Sequence, residues 1–182
     1  MKTSLEVFKG KEAKNNKFIL ETLYDNGPLS AWGLTKFVRE KNRMSLHATF
    51  NKRLRILKKK GYIKKGGKEW VLQLKGVIAV LITKENPKPW NEKWTEIFEN
   101  YVKPFKKTPK RYTVNEDGEE ILDIKEFVVG MPVLLKDFEL WVALADKARK
   151  LIEKGLVNFD VINNKALVTL IMTEILTEQG TL

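Results

Sequence analysis

The segment Met44–Trp70 constrains the fold more than any other part of the 182-residue chain. It reads MSLHATFNKRLRILKKKGYIKKGGKEW. Ser45 is a candidate N-cap, and a leucine or phenylalanine follows at positions 46, 50, 54 and 57, the spacing of one buried helix face. Gly61 is a helix stop, and the pair Gly66-Gly67 between two β-prone stretches indicates a hairpin. The segment therefore predicts an amphipathic helix followed by a β-hairpin.

Two shorter helical patterns precede this segment. The first covers Asn15–Tyr24 and ends at the turn sequence DNGP, in which glycine is a helix cap and proline cannot continue the helix. The second begins after Ser30 and continues through Trp32, Leu34, Phe37 and Val38 to about Lys41. A fourth helix is predicted over Gly76–Ile82, directly after the hairpin.

The order of these elements and two of their sequences resemble a known superfamily. TFNKRLRILKKKGYI (Thr49–Ile63) resembles the recognition helix of winged helix-turn-helix transcriptional regulators of the MarR/PadR-like, archaeal type. WVLQLKGVIAVLI resembles their second wing strand and the helix after it, with Trp70, Leu72, Lys75 and Gly76 at matching places and Gln73 where threonine is usual. The resemblance covers residues 15–84. It implies a winged helix that binds double-stranded DNA and dimerises through helices outside the DNA-binding domain.

Charge separates the two halves of the chain. Residues 1–84 carry 20 Lys and Arg against 6 Asp and Glu, a net charge of +14, whereas residues 85–182 have a net charge of −3. Nine of these cations lie between Lys52 and Lys68, with no acid among them. Such asymmetry indicates a half that binds a polyanion joined to a half with another task.

The C-terminal half predicts a separate, α-rich domain. A proline-containing linker at residues 85–90 divides a winged-helix domain, residues 1–84, from a domain over residues 91–182 for dimerisation or effector response. Its predicted elements are a helix with an aromatic stripe from Trp90 to Phe105, a hairpin around Asp117-Gly118, and helices over Lys136–Lys154 and Asn163–Glu178. The aromatic stripe is either a packing face or an apolar ligand pocket. Leu167, Leu170, Ile171 and Leu176 are either core or a dimer seam.

A DNA-binding surface follows from the outward face of the third helix. Near its start, His47, Asn51 and Lys52 are candidates to read base edges, because asparagine pairs with adenine and lysine with guanine in the major groove. Further along, Arg53, Arg55, Lys58 and Lys59 are candidates to contact phosphates. Lys64, Lys65 and Lys68 of the hairpin are expected at the minor groove or the backbone. The complete predicted surface is Ser45, His47, Ala48, Asn51, Lys52, Arg53, Arg55, Lys58, Lys59, Lys64, Lys65 and Lys68.

Other classes of function find little support in the sequence. The chain has no cysteine and one histidine, His47, which excludes disulfides and thiolate metal sites and makes a histidine-based zinc site or catalytic dyad a poor hypothesis. There is no phosphate-binding glycine motif, so we expect neither an enzyme nor a cofactor or metal. A membrane-surface helix would leave the core without Phe50 and Leu57. We expect a soluble, cytoplasmic protein that does not associate with membranes, because the longest aliphatic run is Val77–Ile82.

These observations predict a mainly α, α+β protein: three helices and a two-stranded wing, followed by an α-rich C-terminal domain. The function expected of it is sequence-specific binding of double-stranded DNA in transcriptional regulation, as a homodimer. Two alternatives stay open, a winged-helix protein-interaction module of a transcription or replication assembly and a non-specific or architectural nucleic-acid-binding protein. A small-molecule effector is compatible with the sequence, but no residue pattern identifies one.

Overall fold

The computed structural model describes residues 5–38, 43–85, 87, 113–114, 120–121, 138–164, 166–167 and 170. This part of the chain is mainly helical with two small antiparallel sheets, in agreement with the predicted α+β class. Contacts divide the protein into two compact units. Unit 1 comprises Met1–Lys88 and Val142–Leu182, and unit 2 comprises Pro89–Trp141.

Helix α1 (Ala13–Asn26) is the central helix of the N-terminal half and follows a 3-10 turn at Glu6–Phe8. Its residues Ile19, Leu20 and Leu23 are completely buried, because they recur on one face of a 3.6-residue period. The helix ends at Gly27, whose φ of 79° suits a residue without a Cβ, and whose N–H donates to the carbonyl of Leu23. The predicted glycine cap is therefore observed.

Helix α2 (Ala31–Thr35) is shorter than predicted. Ser30 is its N-cap as expected, since the Ser30 hydroxyl accepts a hydrogen bond of 3.0 Å from the N–H of Gly33. The helix has only five residues, however, and the predicted apolar face is split. Leu34 is completely buried, whereas Trp32 and Phe37 are 43% and 47% exposed. These two aromatic side chains are therefore surface residues.

Helix α3 (Arg43–Lys59) carries the stripe that the sequence predicted. Phe50, Leu54 and Leu57 are buried, and the ring of Phe50 stacks on Phe18 of α1 at 5.5 Å between centroids. Leu46 is only half-buried. The helix begins three residues earlier than expected, so Ser45 lies in its first turn rather than at the N-cap. Gly61, with a φ of 79°, follows its C-terminal end, and Tyr62 N donates back to the carbonyl of Leu57.

The predicted hairpin is formed by β1 (Ile63–Gly66) and β2 (Glu69–Leu72), which pair in antiparallel register from Ile63–Leu72 to Gly66–Glu69. The connecting residue Gly67 has a φ of 60°. A third segment joins this sheet from the α1–α2 connection. Leu29 N donates to the carbonyl of Trp70 at 3.2 Å, and Trp70 N donates to that of Leu29 at 2.8 Å. The hairpin is thus tied to the helices at its base.

Helix α4 (Leu74–Thr83) closes the N-terminal core, with every residue from Leu74 to Leu81 buried. Gly76 allows close packing there: a Cβ at this position would lie 2.3 Å from the carbonyl oxygen of Tyr62. Lys75 is 1% exposed, and its ammonium donates to the carbonyls of Lys60, Asp160 and Ile162 at 2.9–3.1 Å. Burial lowers the pKa of Lys75, an effect that the nearby Asp160 carboxylate partly opposes.

Helix α5 (Phe138–Glu153) agrees with the predicted helix over Lys136–Lys154, and Gly155, at a φ of 70°, follows its end. The chain then returns to the N-terminal core through residues 158–164. Asp160 accepts from the Tyr62 hydroxyl at 2.8 Å and from the N–H of Glu6 at 3.1 Å. Asn164 accepts from the N–H of Lys75 and donates to the carbonyl of Gly61 at 2.9 Å and to the side chain of Gln73. Burial and the bond to Asp160 both raise the pKa of Tyr62.

These contacts give a division of the chain different from the sequence-based domains 1–84 and 91–182. Residues 142–182 belong to the same compact unit as residues 1–88, because the turn after α5 is hydrogen-bonded to the hairpin and to α4. Leu167, considered as core or dimer seam, is completely buried, which identifies it as core. Asn163 caps the helical residues that follow, since its side-chain oxygen accepts from the N–H of Ala166 at 2.9 Å.

In unit 2, strands β3 (Thr113–Val114) and β4 (Glu120–Ile121) pair in antiparallel fashion, which confirms the hairpin predicted around Asp117-Gly118. The aromatic stripe from Trp90 to Phe105, most of the proposed linker, and Ile171 and Leu176 lie outside the described residues.

Candidate nucleic-acid interface

The outward face of α3 carries most of the predicted binding residues. Ser45, Ala48, Lys52, Arg55, Lys58 and Lys59 are exposed, because the apolar stripe on the opposite side fixes the helix to α1 and α2. The four cations of this set, Lys52, Arg55, Lys58 and Lys59, form no ion pair within the described part of the chain. Their charges are therefore available to a polyanion.

His47 and Asn51 form a pair on this face. They lie four residues apart on α3, and Asn51 Nδ2 is 3.1 Å from His47 Nε2. The same amide nitrogen lies 3.4 Å from His47 Nδ1, so it is close to both nitrogens of the imidazole ring. The edge of Trp32 from α2 packs on the His47 ring, with centroids 5.6 Å apart and planes at 69°. Both His47 and Asn51 are half-buried.

Arg53 does not share the outward face of its neighbours. Its Nε donates to Asn16 Oδ1 of α1 at 2.9 Å, and Asn16 Nδ2 donates in turn to the carbonyl of Val7 at 2.7 Å. Asn16 is buried, so this chain of hydrogen bonds fixes α3 to α1 and to the N-terminal turn. The predicted phosphate contact by Arg53 thus competes with a structural role that sequence spacing did not indicate.

The hairpin lysines differ from one another in exposure. Lys65 and Lys68 are exposed, and Lys65 Nζ lies 5.7 Å from the centroid of the Trp70 ring. Lys64 is half-buried in β1 opposite Val71, and burial lowers its pKa. Lys65 and Lys68 are consequently better placed than Lys64 to meet a phosphate backbone.

Surface apolar residues gather near the start of α3. Among the described residues, five large apolar side chains are exposed, and three of them, Trp32, Phe37 and Met44, belong to α2, its C-terminal turn and the first turn of α3. Met44 is 71% exposed. Met44 was not among the residues predicted from the sequence, although its spacing of four from Ala48 and seven from Asn51 puts it on the same helix face.

The described residues offer little that would hold a metal or a small charged ligand. They contain no cluster of three His, Asp or Glu side chains suited to a metal ion, and every buried side-chain nitrogen or oxygen among them has a hydrogen-bond partner. No helix in the described ranges is both long enough and apolar enough to cross a membrane. Comparisons with protein-family models, with curated proteins and with solved structures give no match for this chain.

Proposed function

We propose that the protein binds double-stranded DNA with sequence specificity as a winged helix-turn-helix transcriptional regulator. In this proposal α3 enters the major groove, which is wide enough for a helix, and the β1–β2 hairpin is the wing. The N-terminal end of α3 reads base edges, and its C-terminal end and the wing contact phosphates.

The observation that carries this proposal is a strongly cationic surface, in which Glu69 of β2 is the one exposed acid on α3 and the hairpin. From Arg43 to Lys68 the chain has ten Lys and Arg residues and no Asp or Glu. Within that stretch seven cations are exposed on α3 and the hairpin, at positions 43, 52, 55, 58, 59, 65 and 68. The cations follow one another along a helix and the hairpin packed against it, so they can track a phosphate backbone.

The connections between the elements also support this proposal. Leu29, between α1 and α2, bridges to Trp70 of the hairpin. Helices α1, α2 and α3 and the hairpin therefore pack together, with a small sheet at their base. A helix that reads DNA needs such a rigid scaffold, because base contacts depend on its position to within a fraction of an ångström. The buried residues Phe50, Leu54 and Leu57 hold α3 on it.

Selection from a random duplex library tests the proposal most directly. The full-length chain is expected to recover fragments with a common sequence, and its affinity for that sequence is expected to fall steeply as salt rises. Recovery without a consensus, together with equal retardation of selected and random duplexes, would favour a non-specific or architectural role. No duplex binding at 50 mM salt, with a protein partner that co-purifies, would favour an interaction module.

We also propose that the regulator acts as a homodimer. A two-fold dimer requires a pseudo-palindromic site whose half-sites lie about one helical turn, ~10 base pairs, apart or a multiple of that spacing. Light scattering of the DNA complex should give two protein chains per site. A single chain per site at saturation would contradict the dimer and leave duplex binding intact.

A further inference from the structure

We propose that the N-terminal half of the α3 face reads A·T base pairs. Asn51 pairs with adenine, and Ala48 and Met44 contact thymine methyl groups. His47 is a positioning residue that orients the Asn51 amide. This inference rests on the proposed function and names the chemistry that α3 recognises in the groove.

The contact between His47 and Asn51 determines which hydrogen-bonding groups of the Asn51 amide remain free for a base. The Asn51 amide nitrogen lies 3.1 Å from His47 Nε2 and 3.4 Å from Nδ1, so one of its N–H groups is engaged by the imidazole, and the described residues provide the Asn51 side chain with no other partner. One N–H and the carbonyl oxygen remain. Adenine presents the matching pair in the major groove, since its N7 accepts and its N6 amino group donates.

The same hydrogen bond disfavours guanine. Guanine presents two acceptors, N7 and O6, and would need both N–H groups of the amide. One of these is already used by His47, so the Asn51 carbonyl oxygen would face guanine O6 without a proton between them. The pair therefore favours adenine through the groups that Asn51 keeps free and disfavours guanine because the second N–H group is already used.

Apolar groups surround this amide on the exposed side. Ala48 and Met44 lie three and seven residues before Asn51, on the same helix face, and both are exposed. Trp32 extends the apolar surface from α2 and packs on His47. Thymine is the one base with a methyl group in the major groove, and alanine-type side chains are suited to contact it.

Four exposed cations lie further along the same face, and Arg43 is exposed at the first residue of α3. Lys52, Arg55, Lys58 and Lys59 follow the apolar end of α3, so charge complementarity directs the helix to a duplex and leaves its first turns to the base pairs. The exposed side chains of Met44 and Ala48, at one end of this cationic face, are suited to contact thymine methyl groups in the major groove.

Three synthetic duplexes test this inference with the full-length chain: alternating poly(dA-dT), poly(dA-dU) and poly(dG-dC). The first two differ only in the thymine methyl group. We expect the affinity for poly(dA-dT) to exceed that for poly(dG-dC) by at least about tenfold, within the range for a bidentate pair. Loss of the methyl groups should weaken binding about fourfold for each methyl group that the protein buries.

Variants separate the individual roles. Asn51→Ala should lose the part of the preference for poly(dA-dT) over poly(dG-dC) that depends on the bidentate pair and keep the part that depends on the thymine methyl groups. His47→Ala should lose much of the discrimination, whereas His47→Gln, which retains a side-chain acceptor, should recover part of it. Ala48→Ser with Met44→Gln should reduce the difference between poly(dA-dT) and poly(dA-dU). Lys58→Ala is the matched control, expected to weaken binding to all three duplexes equally.

Each outcome decides between two separate claims. Equal, salt-sensitive affinity of the unmodified protein for the three duplexes would overturn the A·T inference, as would a library consensus of G·C pairs. The proposed function would survive that second result. No binding to any duplex at 50 mM salt would overturn both. A thermal unfolding curve for each variant, compared with that of the unmodified chain, separates lost recognition from lost folding.

Discussion

At the scale of single residues, the structure gives physical roles to Lys75 and Gly76, two of the positions at which the sequence resembles winged helix-turn-helix regulators. Gly76 lets α4 approach the carbonyl of Tyr62, and Lys75 places its ammonium among three carbonyl groups. Both residues therefore hold α4 against the turn that joins α3 to the hairpin. Sequence reasoning could select the two positions, but it could not assign their roles, because two of the three acceptors lie more than 80 residues away.

Gly76→Ala should destabilise the protein. The added Cβ would lie 2.3 Å from a backbone oxygen and 2.9 Å from Leu72 Cδ2, so the backbone must shift. We expect a loss of about 1–3 kcal/mol in the free energy of unfolding despite the higher helix propensity of alanine. Urea unfolding measures this loss. Gly66→Ala is the control, since its nearest contact is 3.7 Å away; a similar loss in both variants would contradict the packing argument.

Tyr62→Phe should change how stability depends on alkaline pH. The pKa of Tyr62 is raised on folding, so the folded protein keeps a proton that the unfolded chain loses above about pH 10. This contribution is fully present below pH 10 and is lost as the pH rises further, at about 1.4 kcal/mol per pH unit. Urea unfolding between pH 8 and 11 should show a shallower decline for the variant. Parallel declines would mean that Tyr62 does not titrate differently on folding.

At the scale of elements, apolar periodicity predicted α1, α3 and α5 well, and the glycine pair predicted the β1–β2 hairpin. The three helices each have a continuous apolar face, and the hairpin has a tight turn that favours glycine. Helix α2 was the exception, because Trp32 and Phe37 continue the apolar pattern of Leu34 and yet remain on the surface. A short helix between two turns gives too few periods to tell a core face from a binding face.

Within the candidate site, the exposed cations were predictable and the fine geometry was not. Spacing alone puts Lys52, Arg55 and Lys59 on the outward face. It does not reveal that Arg53 turns to Asn16, because that partner lies 37 residues earlier in the chain. It likewise gives the i, i+4 relation of His47 and Asn51 but not the contact with Trp32.

The hairpin should contribute to affinity without contributing to base preference. If it contacts phosphates, Lys65→Ala and Lys68→Ala should each lower the slope of log K against log salt by about 0.9 and weaken binding to every duplex alike. Filter binding at several salt concentrations measures the slope. Lys150→Ala, an exposed lysine of α5, is the control and should leave it unchanged. A changed base preference in either hairpin variant would assign the hairpin a reading role.

At the scale of the whole molecule, the division into units depends on contacts that cross the sequence. The change in net charge and two prolines predicted a domain boundary at residues 85–90. Composition cannot show that residues near the C-terminal end pack against the N-terminal half. Asp160 and Asn164 make that return through hydrogen bonds to Tyr62, Lys75 and Gly61. The residues that hold the hairpin base in place are therefore shared between the two ends of the chain.

Lys75→Met should test this connection. Removal of the ammonium leaves three carbonyl groups without their charged donor, and we expect a loss of about 2–3 kcal/mol in the free energy of unfolding. Lys68→Met, at the exposed hairpin tip, is the matched control and should change stability by less than about 0.5 kcal/mol. Hydrogen exchange should also accelerate at residues 158–164 in the Lys75 variant. Unchanged exchange there would mean that the ammonium does not hold this segment.

The acceptors of Lys75 also set an order of events during synthesis. The carbonyl of Lys60 leaves the ribosome before Lys75, whereas those of Asp160 and Ile162 follow 85 and 87 residues after it. At about 5–20 residues per second this delay is roughly 4–17 s. For that interval the nascent helix α4 carries a cation with only one of its three final partners. Lys75 of α4 therefore obtains its complete set of acceptors only after residue 162 has left the ribosome.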